Sequence, residues 1–163
     1  KLAEAAQKAE AAALVYEQLL AQGVALTQGL EAERKSAEAA EAKYMELCNA
    51  FLKDQQIKMQ REIREGKEAA ALEERLNKID IVNDIIDLGN AIVIGTWKSQ
   101  FQRNPALFTD TKRLFEKVYA KLDELKTITH QDIDLKRIEE CRQTAKVYEG
   151  NMGTFLTKWL ERE

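Results

Sequence analysis

The sequence contains few of the two residues that most often interrupt helices. Its 163 residues include 7 glycines and a single proline. Glycine weakens the interior of a helix and proline breaks it, so their scarcity leaves long stretches free to be helical. No segment has the strict alternation of apolar and polar residues that is typical of a half-buried β-strand. The sequence therefore predicts an all-α chain.

The chain also lacks an excess of charge of either sign. Its 25 lysines and arginines are interspersed with 28 aspartates and glutamates, which gives a net charge of −3. Proteins that bind nucleic acid or anionic membrane surfaces concentrate basic side chains, so neither kind of partner is predicted. No apolar run reaches the roughly 18 residues that a transmembrane helix needs. With 45% apolar and 33% charged residues, the composition is that of a globular domain.

The usual marks of a catalytic site are missing as well. The single histidine, His130, lies in a polar connector, and there is no HExxH, CxxC, glycine-rich phosphate loop or nucleophile elbow. A di-iron bundle needs Glu-x-x-His pairs on two helices, which one histidine cannot supply. The carboxylates stand beside lysine and arginine at helical spacing, as on a solvated helix face. We therefore expect no enzyme activity, no metal site and no cofactor.

Turn signals divide the chain into five helical segments. Gly66 favours a helix end because glycine readily adopts a left-handed conformation, and Asn104 followed by Pro105 is a strong helix start. The polar connector 129–132 separates the last two segments. The predicted helices are 1–27, 30–65, 67–103, 105–128 and 132–163. Their lengths and short connections predict an antiparallel up-down-up-down four-helix bundle with an overhanging or broken N-terminal helix.

Apolar residues recur three and four positions apart in the last three segments, which is typical of helices packed side by side. In segment 67–103 the predicted core positions are Leu72, Leu76, Ile79, Asn83, Ile86, Asn90, Val93 and Trp97. In the next two segments they are Phe108, Thr111, Phe115, Val118, Leu122 and Leu125, then Ile138, Cys141, Ala145, Tyr148, Met152, Phe155 and Trp159. Segment 30–65 supplies the fourth wall, with its best face at Tyr44, Cys48, Phe51, Gln55, Met59 and Ile63.

Two groups of polar residues are candidate sites. Asn83 and Asn90 are expected to point into the bundle, near the level of Tyr44 and Tyr148, where they form either a polar layer that fixes the helix register or a small ligand pocket. Toward one end of the bundle, Trp97, Lys98 and Arg103 accompany several aromatic residues. This second group is either aromatic core packing or an anion site, since a carboxylate ligand favours cationic side chains beside an aromatic wall.

The two cysteines fall at similar heights on neighbouring predicted helices. Cys48 and Cys141 lie about one layer apart when each helix is measured at about 1.5 Å per residue. Such a pair can form a disulfide in an exported protein, or it can remain a pair of buried thiols. Both interpretations stay open at this point.

Two stretches of the chain resemble a known family. They read NDIIDLGNAIVIGTWKSQFQRNPALF, from Asn83 to Phe108, and LDELKTITHQDIDLKRIEECRQTAKVYEGNMGTFLTKW, from Leu122 to Trp159. Their marks are an Ile-Ile-x-x-Gly-Asn run, a Trp-Lys-x-Gln-x-x-Arg-x-Pro turn and a Tyr-x-x-x-Met segment. Together they resemble the extracytoplasmic helical sensor region of bacterial methyl-accepting chemotaxis receptors.

The resemblance implies a periplasmic sensor domain that is part of a longer inner-membrane receptor and is held between two transmembrane segments outside this sequence. Such a domain forms a homodimer and binds a small molecule between helices, for example an organic or amino acid, or else binds a periplasmic binding protein. Relatives that bind organic acids use arginines that face between helices. Here Val93 stands where such an arginine is expected, which leaves Arg103 and Lys98 as candidates.

Signalling in this family runs through a small displacement of the C-terminal helix. In that helix Gly150 and Gly153 are interpreted first as positions of close packing against a neighbour, and second as a hinge. The alternative function is a helical dimerisation or interaction module, either a scaffold or the input domain of a sensor kinase, without a small-molecule ligand.

Overall fold

The computed structural model describes residues 2–162, which form five helical segments and no strand. They are α1 (Leu2–Arg64), α2 (Ala69–Phe101), α3 (Pro105–Lys112), α4 (Leu114–Thr127) and α5 (Asp132–Arg162). Helix α1 contacts α2 and α5, while α3 and α4 together bridge α2 and α5. These contacts close a ring of four walls. The predicted all-α, up-down-up-down bundle is confirmed.

Two helix boundaries differ from the prediction. Helix α1 continues through Gly29, because a single glycine costs only about 1 kcal/mol in a helix whose flanking residues are good helix formers. The predicted helix 105–128 is divided at Arg113 into α3 and α4. In α3 the hydroxyls of Thr109 and Thr111 donate to the backbone oxygens of Pro105 and Leu107, a pattern that bends helices.

The first part of α1 extends beyond the bundle. Thr27 and Gly29 already lie near residues of α5, and the first buried side chain is Leu30. Residues 2–26 therefore form the extension, which corresponds to about 37 Å of helix. The large apolar side chains that this extension exposes are Leu2, Leu14, Val15, Tyr16, Leu19, Leu20 and Val24. The overhang that the sequence predicted is therefore present.

The core consists of the predicted stripes on three walls. Every predicted core position of α3, α4 and α5, from Phe108 to Trp159, is buried. On α1 the predicted positions Tyr44, Cys48, Phe51 and Gln55 are buried. The prediction for Ile63 is wrong: its side chain is 55% exposed, because it lies in the last turn of α1. Aromatic rings cluster toward the α2–α3 turn, where Phe108 stacks on Phe155 at a centroid distance of 5.6 Å.

The predicted face of α2 is wrong by one residue. Asn83 and Asn90 are exposed, as are Leu76 and Trp97. The buried positions are instead Arg75, Lys78, Ile81, Val82, Ile85, Gly89, Ile92 and Ser99. One residue corresponds to a rotation of about 100° about the helix axis. The rotation turns Leu76 and Trp97 toward solvent, while Ile85 and Ile92 lie in the core.

Close helix approach explains this rotation. A Cβ placed on Gly89 would lie 2.8 Å from the Tyr44 ring, and one placed on Gly95 would lie 2.6 Å from Thr111 Cγ2. The helix therefore turns its small residues toward α1 and α3, where a bulky face could not fit. The Tyr44 hydroxyl donates a 3.1 Å hydrogen bond to the Ile85 carbonyl across the same contact.

The polar layer of the bundle lies near the α1–α2 turn and not at the two asparagines. Gln55 is fully buried; it donates to Asp134 Oδ2 at 3.2 Å and accepts from Arg75. Lys58 Nζ lies 2.8 Å from the same Asp134 oxygen. Arg75 also binds both carboxylate oxygens of Glu62, at 3.0 and 2.7 Å. These bonds make burial of the charged groups tolerable, because each has a partner.

The interpretation of Gly150 and Gly153 as close-packing positions is also wrong. A Cβ on Gly150 would meet nothing within 4 Å, and one on Gly153 would meet only the flexible end of Lys112. The close approaches of the bundle are at Gly89 and Gly95 instead.

These glycines make a matched set of stability variants. Gly150→Ala should raise the free energy of unfolding by about 1 kcal/mol, because alanine is the better helix former. Gly89→Ala should lower it by about 1–3 kcal/mol, because its Cβ overlaps Tyr44. Urea unfolding followed by circular dichroism measures both. Equal effects of the two substitutions would contradict the close contact at Gly89.

Glu62 gives the polar layer a measurable pH dependence. Hydrogen bonds from Arg75 hold the pKa of Glu62 below its ordinary value of 4.5. A lowered folded-state pKa stabilises the protein above the unfolded-state pKa, and the contribution is lost as the pH falls through the folded-state value. Glu62→Gln should therefore cost about 2 kcal/mol at pH 7, and the cost should shrink below about pH 4. Glu73→Gln, at an exposed position, should be nearly neutral at both pH values in the same urea titrations.

Candidate functional site

A groove runs between α1 and the C-terminal part of α2 and is floored by α5. We call it the α1–α2 groove; it has an inner pocket and an outer part. The inner pocket has a volume of about 30 Å³ and lies among Glu41, Thr96, Trp97 and Tyr148. The outer part has about 360 Å³ and is lined by Thr27, Leu30, Glu31, Arg34, Gln100, Arg103, Phe155, Trp159 and Arg162. Arg34, Gln100 and Phe155 border both parts, so the two spaces adjoin.

The inner pocket contains polar groups without partners. Glu41 is half-buried and makes no hydrogen bond or ion pair with a described residue. Burial, followed by the nearby charge of Glu38, raises the pKa of the Glu41 carboxyl. The hydroxyl of Thr96 is buried beside Tyr148 but lies outside the geometry of a hydrogen bond with any described residue. A cavity of this size admits a water molecule or a small head group, and the unpaired polar atoms favour one that forms hydrogen bonds.

Tyr148 brings an aromatic wall and a hydroxyl to the same pocket. Its side chain is 2% exposed and lies beside Thr96. Burial, with a smaller contribution from the Glu41 charge, raises the pKa of Tyr148, so the phenol stays protonated. The ring packs edge-on against Phe115 at 5.3 Å, which fixes its orientation. Tyr148 can therefore act as a hydrogen-bond donor at a defined position.

The outer part of the groove ends at Arg103, which has an unusual backbone. Its φ angle is +49°, and it is the one positive φ of a non-glycine residue in the described part of the chain. The N–H of Asn104 donates to Ser99 O at 2.8 Å, and the N–H of Arg103 donates to Gln100 O at 3.1 Å. These two bonds form a Schellman motif, in which Arg103 takes the left-handed position that glycine usually occupies. An L-residue there costs about 1–2 kcal/mol.

Two arginines of the outer groove differ in how their charges are compensated. Arg34 is held by Glu31 at 2.7 Å and by Glu38 at 2.5 Å. Arg103 is exposed, and no described residue forms a hydrogen bond or ion pair with its side chain. Its guanidinium therefore brings uncompensated positive charge to a groove whose opposite wall is Phe155 and Trp159. A carboxylate is the natural partner of such a guanidinium, which can bind it with two parallel hydrogen bonds.

The structure brings three of the predicted site residues to the groove. Arg103 lines the outer groove, and Tyr148 and Trp97 line the inner pocket, with Trp97 57% exposed. Tyr44 packs against Gly89 of α2 and lines neither part of the groove. Asn83, Asn90 and Lys98 are exposed and line neither part of the groove.

Two residues of the inner pocket, Glu41 and Thr96, were not among the predicted site residues. Glu41 stands seven residues after Arg34 and seven before Cys48, so heptad spacing places it on the α1 face that contains both. That signal was available from the sequence. Thr96 was missed because the face of α2 was assigned one residue out.

The two cysteines are free thiols in the bundle core. Cys48 and Cys141 are 2% and 4% exposed and border the same cavity of about 10 Å³, which α1, α2, α4 and α5 enclose together. Interaction with the Cys48 thiol, followed by burial, raises the pKa of Cys141.

No family model, curated protein or solved structure matches this chain. Within residues 2–162, none of the helices is both long enough and apolar enough to cross a membrane. The same residues contain no group of three or more histidines, cysteines, aspartates or glutamates placed to hold a metal ion.

The left-handed backbone of Arg103 predicts different effects of two substitutions on stability. Arg103→Gly should raise the free energy of unfolding by about 1 kcal/mol, because glycine adopts a positive φ without strain. Arg103→Ala removes the same side chain but keeps the strain, so it should give no such gain. Urea unfolding of the two variants measures the difference. Equal stability of the two variants would show that the left-handed conformation is not retained in solution.

Proposed function

We propose that this chain is a sensor domain that binds a small carboxylate-bearing molecule in the α1–α2 groove. In the wider proposal, drawn from the sequence resemblance, it is the periplasmic part of a methyl-accepting chemotaxis receptor and acts as a homodimer. The single observation that supports ligand binding best is Arg103. The left-handed backbone of Arg103 lowers the stability of the fold. The same residue places a guanidinium without a described partner beside an aromatic wall, where a ligand contact would account for the strain.

The other end of the groove suggests the shape of the ligand. Glu41 and Arg34 are seven residues apart on α1, which corresponds to about 10 Å along the helix axis. A molecule that reaches from Arg103 into the inner pocket must therefore be elongated. The carboxylates of Glu41 and Glu38 would repel a second carboxylate at that end and attract an amino group. We expect an elongated monocarboxylate, preferably with a distal amino group.

Binding in this groove would act on the two long helices of the bundle. Arg34 lies on α1 and Phe155 on α5, and both border the inner and outer parts of the groove. A ligand between them would favour a different spacing of α1 and α5, by the ångström or two over which packed helices slide. In the proposed receptor, α5 passes this displacement toward the membrane.

A series of six-carbon acids tests the ligand chemistry. Hexanoate, 6-aminohexanoate and adipate share one chain length and differ only at the end opposite the first carboxylate. We expect 6-aminohexanoate to bind best and adipate worst. A ligand present at 100 times its Kd should raise the free energy of unfolding by about 2.7 kcal/mol, which shifts Tm by roughly 5–10 °C.

Three variants connect the result to the groove. Arg103→Ala should abolish the Tm shift with every acid, whereas Lys98→Ala, which removes a positive charge outside the groove, should leave it unchanged. Glu41→Gln should reduce the preference for 6-aminohexanoate over adipate. Undiminished binding by a folded Arg103→Ala variant would contradict the proposed site.

The second candidate function is a helical dimerisation or interaction module. It is favoured by one specific observation, the exposed apolar side chains of the α1 extension, among them Tyr16, Leu19 and Leu20. Contiguous exposed apolar surface often marks a protein interface. If none of the three acids binds and the chain self-associates in sedimentation equilibrium, this function replaces the sensor proposal.

A further inference from the structure

The two thiols of the chain lie at the contact between the two helices that touch most extensively. Cys48 is on α1 and Cys141 is on α5, and this helix pair has the largest contact in the bundle. Both side chains border one small cavity in the core of the bundle. Phe51, Val82, Ile85, Leu122, Leu125 and Ile138 complete the wall of the small cavity beside them. All six are apolar, so no charged group competes for either sulfur.

We propose that Cys48 and Cys141 are a site of reversible disulfide formation that locks α1 to α5. The chain contains exactly these 2 cysteines, so a disulfide within one molecule has no alternative pairing. A bond here would join residues 93 positions apart in sequence and fix the two helices at one height. It would also oppose the relative displacement of α1 and α5 on which the proposed sensing depends. Only that last consequence rests on the proposed function.

The oxidant that we propose is a low-molecular-weight disulfide. The thiolate of one cysteine attacks a sulfur of the reagent. A mixed disulfide forms between the protein and one half of the reagent, and the other half leaves as a thiolate. The second cysteine loses its proton and attacks the protein sulfur of that mixed disulfide, and the second reagent thiolate leaves. The protein loses two protons and two electrons, and the reagent disulfide is reduced to two thiols.

Burial determines how fast this reaction can occur. With 2% and 4% exposure, neither sulfur can be reached in the closed bundle, so the first attack requires a local separation of α1 and α5. The second attack needs little movement, because the two side chains are already neighbours. Oxidation should therefore be slow in buffer and faster in urea concentrations below the unfolding transition.

Oxidised glutathione provides the test with the full chain. After incubation in sub-transition urea and return to buffer, the intact mass should fall by that of two hydrogen atoms, and no thiol should react with Ellman's reagent after denaturation. The protein should remain a monomer on a non-reducing gel. Its urea midpoint should rise by about 1–2 M, because the cross-link closes a long loop in the unfolded chain. Dithiothreitol should reverse every change.

Single variants separate this site from accidental oxidation. Cys48→Ser and Cys141→Ser should each abolish the mass loss and the rise in the urea midpoint, while circular dichroism shows that both remain helical. The proposal is overturned if both thiols stay reactive, if oxidation yields only dimers or stable glutathione adducts, or if the disulfide lowers the urea midpoint. None of these readouts involves a groove ligand, so failure of the sensor proposal would leave the result intact.

Discussion

The arrangement of the bundle depends on how closely α2 approaches its neighbours. Gly89 lets the Tyr44 ring of α1 lie against the α2 backbone, and Gly95 does the same for Thr111 of α3. With these contacts made, α2 can present only one face to the core. That face places Thr96 at the inner pocket and leaves Asn83 and Asn90 in solvent. The α1–α2 groove is thus a consequence of two glycines as much as of the residues that line it.

The two ends of the bundle differ in how their charged side chains are paired. Near the α1–α2 turn, Gln55, Arg75 and Asp134 are buried but hydrogen-bonded to one another or to nearby charged side chains. Near the α2–α3 turn, the carboxylate of Glu41 and the guanidinium of Arg103 lack such partners. Each end contains one buried oxygen without a hydrogen bond, Asp134 Oδ1 at the first and Thr96 Oγ1 at the second. The difference between the ends therefore lies in their charged side chains, which are paired at the first end and have no partner among the described residues at the second. This contrast supports a ligand in the groove more strongly than its volume does.

The candidate site was partly predictable from the sequence. Arg103 precedes the Asn104–Pro105 pair, which predicts the end of one helix and the start of the next. Its cationic side chain also follows a group of aromatic residues in the sequence. Tyr148 followed from the regular stripe of α5. Glu41 was not singled out: it shares the heptad face of Arg34 and Cys48, but it is one glutamate among many. Thr96 was missed because the face of α2 was assigned one residue out. Their importance lies in the partners they lack, and only three-dimensional neighbours reveal that.

The sequence by itself determined the helical content, the turns at Gly66 and Asn104, and the inward faces of α3, α4 and α5. Those properties depend on residues close together in the chain, through helix propensity, capping and heptad spacing. The register of α2 was decided by tertiary structure, because Gly89 and Ser99 are inward for reasons of space that hydrophobicity does not measure. The contact of Cys48 with Cys141 likewise joins residues 93 positions apart, and only the packing of α1 on α5 brings their thiols together.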